Sequence, residues 1–267
     1  ILNTWLDKNH RIRLGKTGYS LRGCAFIDND WSHHGYASLD KMLQKSIIKK
    51  VTNHAQSSIA NYKVELRKKL SWMHFACHSN VWHHSTENDH GVLRDTHIRG
   101  NDEPHAYFYQ LFNCKSGRFT EDNFIGGAYV FGKKAPHSLA AIASAKSGAM
   151  TQFNRFYGPM GDGELIGPAF RDWFAGAAPY NNDERRWWYG LTILGDPIAN
   201  WTTPVVPRQT APAEGTVFNH YPRWTTLTWQ KVPMKKGTYD YEVQVDYKYG
   251  KKWASQDGRS YIKKRLP

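Results

Sequence analysis

The sequence predicts an α/β fold with a mostly parallel sheet covered on both faces, followed by a small β domain. The first observation is a set of short apolar runs, each of which stops at polar residues. These runs are residues 21–27, 71–78, 107–114 and 139–144. The second observation is that helical patterns lie between the runs, an alternation typical of strands that pair in parallel. The third is a change to period-two alternation near the C-terminus, which is typical of antiparallel strands.

The helices are assigned from apolar residues at helical spacing and from the polar or glycine residues that end them. The predicted helices are residues 3–16, 39–50, 124–130 and 165–175. The secondary structure of two further segments is predicted in two alternative ways. Residues 59–70 form a helix or a helix plus a strand, and residues 188–194 form a helix or a strand before the turn at Gly195.

The composition changes after the predicted sheet. Residues 204–213 carry three prolines without apolar periodicity, so we expect a linker between a domain of residues 1–203 and one of residues 214–267. In the latter, residues 225–229 and 239–247 alternate as half-buried antiparallel strands do. This C-terminal domain has 54 residues and is predicted to be a small β domain.

Composition excludes several classes of protein. The chain has 267 residues, 40% of them hydrophobic and 22% charged, which is a globular rather than a disordered composition. No apolar run approaches the roughly 18 residues that a bilayer requires, so no membrane span is expected. The chain begins at Ile1 without a Met, and we expect a fragment whose targeting signal is not present.

The charge balance points to acidic partners without choosing among them. The formal net charge is +13, and such a charge suits nucleic acid, anionic glycans or a cell surface. The basic clusters carry no signature of a nucleic-acid module, so we expect no nucleic-acid partner. Three cysteines are too few, and odd in number, for a disulfide framework.

A base and a nucleophile follow two of the predicted strands. One strand delivers His78 and the next delivers Cys114. Ligand crevices of parallel sheets lie beyond the carboxyl ends of the strands. If these strands are neighbours, at a spacing of about 4.8 Å, the two residues flank one cleft. An imidazole can accept the thiol proton and later protonate a leaving amine, and the backbone N–H groups of Ser79 and Cys114 could bind an oxyanion.

Other interpretations of these residues stay open at this point. Cys114 alone is also compatible with a small buried hydrophobe, and His78 with a loop histidine. A metal site competes, because seven histidines crowd one stretch: His74, His78, His83, His84, His90, His97 and His105. The spacing between His74 and His78 would share a face on a helix but not on a strand, and paired Cys-x-x-Cys motifs are absent, so no metal site is predicted.

Several segments resemble, in order across residues 1–201, the catalytic domain of the gingipain family of cysteine peptidases, in the clan of caspases. The most diagnostic are Cys114-Lys115-Ser116-Gly117-Arg118-Phe119, followed by Leu139 to Ser144. The others are Leu2-Asn3-Thr4-Trp5 through Arg13, Ala25 to Trp31, His78-Ser79, Asn113, and Leu194-Gly195-Asp196-Pro197. The tail from Pro212 resembles the front half of a fibronectin type III or immunoglobulin-like module.

The resemblance implies a caspase-like α/β/α sandwich with a His78–Cys114 dyad. It implies a secreted or cell-surface cysteine endopeptidase that hydrolyses protein or peptide substrates. The dyad chemistry requires no cofactor, and the resemblance leaves room for structural calcium. Two alternatives stay open: a catalytically inactive binding or assembly protein, and a transpeptidase that uses the same dyad.

Two departures from the family pattern bear on activity and specificity. Ser79 stands where the family has Gly directly after the catalytic His, and a Cβ there hinders backbone angles that Gly permits. Met150 stands near the position where relatives place a Trp beside the specificity pocket. The family preference for basic residues is therefore not carried over. Asp30 and Met150 are the candidate substrate-pocket residues, and a helix cap or solvated loop is the competing interpretation for the aspartate.

Overall fold

The structure is a computed structural model that describes residues 2–13, 17, 20–87, 91–147 and 152–199, together with four short strands beyond them. The chain divides into two compact units, residues 1–230 and residues 231–267, and each is described by itself. Across the described residues, no helix combines the length and the apolar character needed to cross a bilayer.

In the described chain up to Ala199 there are nine strands, and four of them lie within the predicted apolar runs. In chain order they are β1 (Gly23–Ile27), β2 (Ile48–Val51), β3 (Trp72–Ala76), β4 (His78–Ser79), β5 (His83–Ser85), β6 (Val92–Arg94), β7 (Phe108–Phe112), β8 (Ala140–Ser144) and β9 (Leu191–Gly195). Six of them form one sheet in the order β2-β1-β3-β7-β8-β9. The pairs are parallel except that β9 runs antiparallel to β8. The mostly parallel sheet of the prediction is confirmed.

Helices lie on both faces of this sheet. They are α1 (Leu2–Arg13), α2 (Ile59–Leu66), α3 (Asp95–Gly100), α4 (Ile125–Phe131), α5 (Asn154–Gly161), α6 (Ile166–Gly176) and α7 (Asn182–Trp188). Local signals fix some of their ends. The hydroxyl of Ser58 accepts the N–H of Asn61 at the start of α2, and Asn181 and Glu184 form a capping box at the start of α7.

Alternate residues of each central strand enter two separate hydrophobic cores. On β3, Trp72 belongs to the core beneath α5 and α6, whereas Phe75 belongs to the core beneath α2 and α4. Every residue of β3 is buried, as the continuous apolar run predicts for a strand covered on both sides. The first unit is therefore a three-layer α/β/α sandwich.

The predicted helix at residues 39–50 is wrong. Leu39–Lys41 and Lys45–Ile47 are single 3₁₀ turns, and Ile48–Val51 is the edge strand β2. Ile48 and Val51 are buried, while the two lysines between them are exposed. Pairing with β1 satisfies the backbone of this segment, and β-branched residues suit a strand better than a helix. The apolar residues whose spacing suggested one helical face lie instead in and between the two turns that precede β2.

The two ambiguous segments resolve differently. Residues 59–70 form only the helix α2, which ends at Leu66. Residues 188–194 divide between the last residue of α7 and the strand β9. The predicted helix at residues 3–16 ends at Arg13, and residues 14–16 lie outside the described residues.

The region after Ala199 is described only at four strands. β10 (Gln209–Ala211) pairs antiparallel with β11 (Thr228–Trp229) in the first unit, and β12 (Asp246–Tyr249) pairs antiparallel with β13 (Lys252–Ser255) in the second. Most of the predicted strand at residues 239–247 lies outside the described residues. The domain boundaries and the truncated β-sandwich stay predictions.

Candidate active site

The strands that deliver the predicted dyad are neighbours. β3 pairs in parallel with β7 from Trp72 opposite Phe108 to Ala76 opposite Phe112. The pairing continues one step further, since the N–H of Cys77 donates to the carbonyl of Phe112 at 3.3 Å. His78 and Cys114 each follow two residues after the last paired position. Because the strands are parallel, both residues lie at the carboxyl edge of the sheet.

Asp30 contacts His78 directly. β1 lies beside β3, and a 3₁₀ turn at Asn29–His34 follows its carboxyl end. Oδ2 of Asp30 lies 2.6 Å from Nε2 of His78. A carboxylate only accepts hydrogen bonds, so Nε2–H donates and Nδ1 keeps the lone pair that takes up a proton. The imidazole side chain is 53% exposed, so the ring is accessible from solvent.

An aromatic ring holds the same imidazole from the side. The ring of Trp31 lies 4.7 Å from that of His78, and 5.8 Å from the ring of Phe112 at the end of β7. Trp31 is in the same 3₁₀ turn as Asp30. One short segment therefore fixes both the orientation of the imidazole and its distance from the strand that precedes Cys114.

The carboxylate of Asp28 holds the start of this segment through hydrogen bonds to backbone N–H groups. Its buried carboxylate accepts the N–H of Asn29 at 2.8 Å, and its Oδ2 accepts the N–H of Glu87 at 3.1 Å. Burial raises the pKa of Asp28 from its usual range. Asp28 is thus the N-cap of the 3₁₀ turn.

Asp28, Asp30 and His78 also place three ligand atoms within 4.8 Å of one another. Two carboxylates and an imidazole are a donor set that zinc accepts. Both oxygens of Asp28, however, already accept backbone N–H groups, and Nε2 of His78 is bound to Asp30. A cation at this place would therefore compete with the hydrogen bonds that orient the imidazole of His78.

Among the described residues, the other histidines of the crowded stretch form no group that could hold a metal ion. His74 packs against Phe153 on one face of the sheet, and His84 packs against Tyr129 on the other. Burial lowers the pKa of each to about 3. His90 lies outside the described residues.

The three cysteines differ in accessibility. Cys24 and Cys77 are fully buried, and burial raises the pKa of both thiols. The sulfur of Cys77 accepts a hydrogen bond from Nδ2 of Asn113 at 3.6 Å. Cys114 is partly exposed, and all three cysteines are unbridged. The accessible thiol is therefore the one at the sheet edge.

The loop after Cys114 is tied to the end of β8. The N–H of Lys115 donates to the carbonyl of Lys146 at 3.0 Å, and that of Gly117 donates to the carbonyl of Ser144 at 2.9 Å. A Cβ on Gly117 would lie 2.8 Å from the Cβ of Ala143, closer than side-chain contacts allow. Glycine is required here because the loop lies directly against the neighbouring strand.

Ser79 adopts an extended conformation in β4 and pairs with His84 in β5. Its hydroxyl has one hydrogen, which is shared between the carbonyls of Asn80 and His83, at 2.8 and 2.9 Å. Nδ1 of His84 lies 3.0 Å from the same oxygen, which accepts its hydrogen. An extended backbone accepts any side chain, so the Cβ of Ser79 causes no strain in this chain.

A pocket of about 350 Å³ opens at the loop that follows Cys114. Among the residues that line it are Lys115, Arg118, Phe119, Thr120, Lys146 and Ser147. Asp30 is not part of this lining but lies on His78. Met150, the other candidate pocket residue, lies outside the described residues.

Comparisons with known proteins were made for the sequence and for the fold. No protein-family model matches the chain. No curated protein sequence is significantly similar to it.

Solved structures do resemble it. The Arg-specific cysteine proteinase gingipain R superposes with a TM-score of 0.58 at 17% identity, over 79% of this chain and 56% of its own. The complex of the pro- and mature domains of RgpB from Porphyromonas gingivalis gives 0.55 at 16% identity, over 79% and 57%. A structure described only as a protease gives 0.56 at 11% identity, over 91% and 59%. The fold is gingipain-like.

The chain spans 56–59% of the length of these proteinases. Within the gingipain-like fold, sequence reasoning located His78 and Cys114 at strand ends but did not assign the partner of the imidazole. The signal was present, since Asp30 follows the end of a neighbouring strand. The roles of Trp31 and of the lysines beside Cys114 had no such signal.

Proposed function

We propose that this protein is a secreted cysteine endopeptidase that uses Cys114 as nucleophile and His78 as general acid and base. The observation that carries the proposal is the half-exposed imidazole of His78, bound through Nε2 to Asp30 beside the strand that leads to Cys114. The gingipain-like fold supports it, because gingipain R, a solved structure of this fold, is an Arg-specific cysteine proteinase. Peptide bonds are accordingly the proposed substrate.

The mechanism follows from the positions of these groups. The thiolate of Cys114 attacks the scissile carbonyl carbon and forms a C–S bond. The protonated imidazole of His78 gives its proton to the leaving amine as the C–N bond breaks. The imidazole then takes a proton from water, the hydroxide attacks the acyl carbon, and the C–S bond breaks to release the carboxylic acid. Asp30 acts as a positioning residue, because it touches the imidazole and not the substrate.

The oxyanion that forms in each half-reaction needs hydrogen-bond donors. We assign this role to the backbone N–H groups of Ser79 and Cys114. The extended backbone of Ser79 and the tethered loop at Lys115 hold the two segments that carry these groups. Preorganised donors of this kind stabilise the tetrahedral intermediate without reorganising during the reaction.

A peptidyl acyloxymethyl ketone probe tests the proposal, because it alkylates a thiol only after the site has bound the peptide. We expect labelling of the wild type, loss of labelling in Cys114→Ala and in His78→Ala, and unchanged labelling in Cys77→Ala. Cys77 is the matched control, since it is a neighbouring but buried thiol. Labelling that survives in Cys114→Ala would overturn the assignment.

Three other functions are separated by further measurements. An inactive binding or assembly protein would show no labelling and no turnover of any peptide. A transpeptidase would transfer the acyl group to an added amine, giving a ligated product in place of the acid. The group of Asp28, Asp30 and His78 favours a metal-dependent hydrolase as second candidate, and this enzyme would lose turnover in EDTA, whereas the cysteine peptidase would retain it.

A further inference from the structure

The pocket at the loop that follows Cys114 carries three positive charges. Lys115, Arg118 and Lys146 line it, and none of the other described residues in its lining is acidic. Arg118 forms an exposed ion pair with Glu121 at 3.4 Å, which offsets part of its charge. Among the described residues, no carboxylate lies within 4 Å of the ammonium group of Lys115 or Lys146. A net positive potential therefore remains in the pocket.

The pocket lies where a substrate side chain would enter. Lys115 directly follows Cys114, and Lys146 lies two residues beyond β8, the strand next to β7. The hydrogen bond from the N–H of Lys115 to the carbonyl of Lys146 brings the two backbones together at 3.0 Å. A peptide whose carbonyl carbon meets the sulfur of Cys114 would therefore place its neighbouring side chain towards the two backbone segments that carry these lysines.

The remaining lining suits a short side chain that ends in an anion. Phe119 is 61% exposed and offers an apolar ring to methylene groups. The hydroxyls of Thr120 and Ser147 can donate to oxygen atoms. A basic side chain would enter among like charges, and Asp30, the carboxylate that could have received it, is bound to His78.

We propose that this pocket selects substrates with a glutamate or aspartate side chain next to the scissile bond. The inference rests on the proposed peptidase function and adds its specificity. The cations act by binding the carboxylate, and they take no part in bond making or breaking. Like charges without counterions also repel one another, so a bound carboxylate relieves the repulsion between the two lysines.

Three probes that differ only in one residue test this proposal. They carry Glu, Gln or Lys next to the reactive ketone, and the rate of Cys114 alkylation is measured for each. We expect the Glu probe to react about tenfold faster than the Gln probe, and the Lys probe to react most slowly. Because the pocket is open to solvent, we expect the ratio of Glu to Gln rates to fall in 0.5 M NaCl.

Substitutions at Lys146 locate the effect. Lys146→Gln should lower the ratio of Glu to Gln rates about fivefold, as the loss of one exposed ion pair does, and Lys146→Glu should reverse the preference towards the Lys probe. Lys133→Gln is the matched control, since it removes an exposed lysine outside the pocket. Circular dichroism shows whether each variant folds. If a variant does not fold, the effect of 0.5 M NaCl on the ratio of Glu to Gln rates of the wild type tests the proposal instead.

The outcomes separate this inference from the proposed function. Labelling of Cys114 with equal rates for Glu and Gln probes overturns the specificity and leaves the peptidase intact. A faster reaction of the Lys probe overturns it as well. An unchanged Glu preference in Lys146→Gln assigns the preference to other residues and also overturns it. Absence of labelling with all three probes, in a folded protein, overturns both proposals.

Discussion

Asp30 and His78 form a hydrogen bond of 2.6 Å between Oδ2 and Nε2, and they come from the ends of two adjacent strands. The bond fixes which imidazole nitrogen carries hydrogen. The other nitrogen can then serve as the base in the proposed reaction. The parallel register of β1 and β3 is what brings the two side chains together.

Asp30→Asn should lower kcat about a hundredfold with little change in KM, because the amide keeps the size of the carboxylate but removes its charge. Asp30→Glu should recover part of the loss, since it restores a carboxylate. The pH profile of kcat/KM separates positioning from a structural role, because a lost carboxylate shifts its acid limb. The control is Asp162→Asn, at an exposed aspartate at the end of α5. An unchanged profile in Asp30→Asn would count against the proposed role.

Alkylation of the folded protein should be confined to Cys114. Burial raises the pKa of the thiols of Cys24 and Cys77, and both are enclosed in the cores. Mass spectrometry after a brief iodoacetamide treatment should find one modified cysteine in buffer and three in urea. Modification of Cys77 at the rate of Cys114 in buffer would contradict the packing described for β3.

Gly117→Ala should destabilise the protein by about 1–3 kcal/mol, the usual cost of overpacking. The added Cβ would meet Ala143 at 2.8 Å and displace the loop that carries Cys114. Gly158→Ala is the matched control, because a Cβ there meets nothing within 4 Å and lies in the helix α5. That variant should be neutral or about 0.5–1 kcal/mol more stable. Urea unfolding of both variants measures the difference.

Ser79→Gly introduces the residue that the resemblance to gingipains predicts after His78, and it should not raise activity. The extended backbone of Ser79 gains nothing from glycine, whereas loss of the hydroxyl leaves Nδ1 of His84 without its acceptor. We expect a stability loss of about 1–3 kcal/mol, the cost of an unsatisfied buried polar group. A large gain in kcat/KM for this variant would show that the serine does impair the site.

Acid should destabilise the fold between about pH 6.5 and pH 3. Burial lowers the pKa of His74 and His84 from 6.5 to about 3, so over this range the unfolded chain binds protons that the folded chain does not. The stability is present above pH 6.5 and is lost as the pH falls.

Urea midpoints at pH 7 and pH 4.5 measure this loss. His74→Asn should reduce the difference between them, although it lowers stability at both pH values. His54→Asn, at an exposed histidine, should leave the difference unchanged. An equal effect of both substitutions would contradict the assignment to the buried ring.

The sheet could be predicted because burial on both faces leaves a visible mark, an unbroken apolar run such as β3 or β8. The predicted helix at residues 39–50 was wrong because the spacing of its apolar residues suits a helix as well as turns. Only the pairing of Ile48 with Gly23, which the sequence does not show, decides between the two. α5 was missed because Gly158 and Pro159 argue against a helix.

The site was predicted in part for a similar reason. His78 and Cys114 stand at the ends of apolar runs, and such ends can be recognised in the sequence. The contact of Asp30 with His78 and the hydroxyl network of Ser79 depend on strand order and on a hairpin of polar residues, β4 and β5. Such short polar strands lack the hydrophobic periodicity from which strands are predicted.

The backbone hydrogen bonds from Lys115 and Gly117 to the segment at Ser144–Lys146 tie the loop after Cys114, the proposed nucleophile, to one side of the pocket. A change in the length of the connection after β8 would therefore also displace the loop that follows Cys114. Under the proposed function, selectivity is better altered by exchanging side chains of the pocket lining than by inserting or deleting residues there.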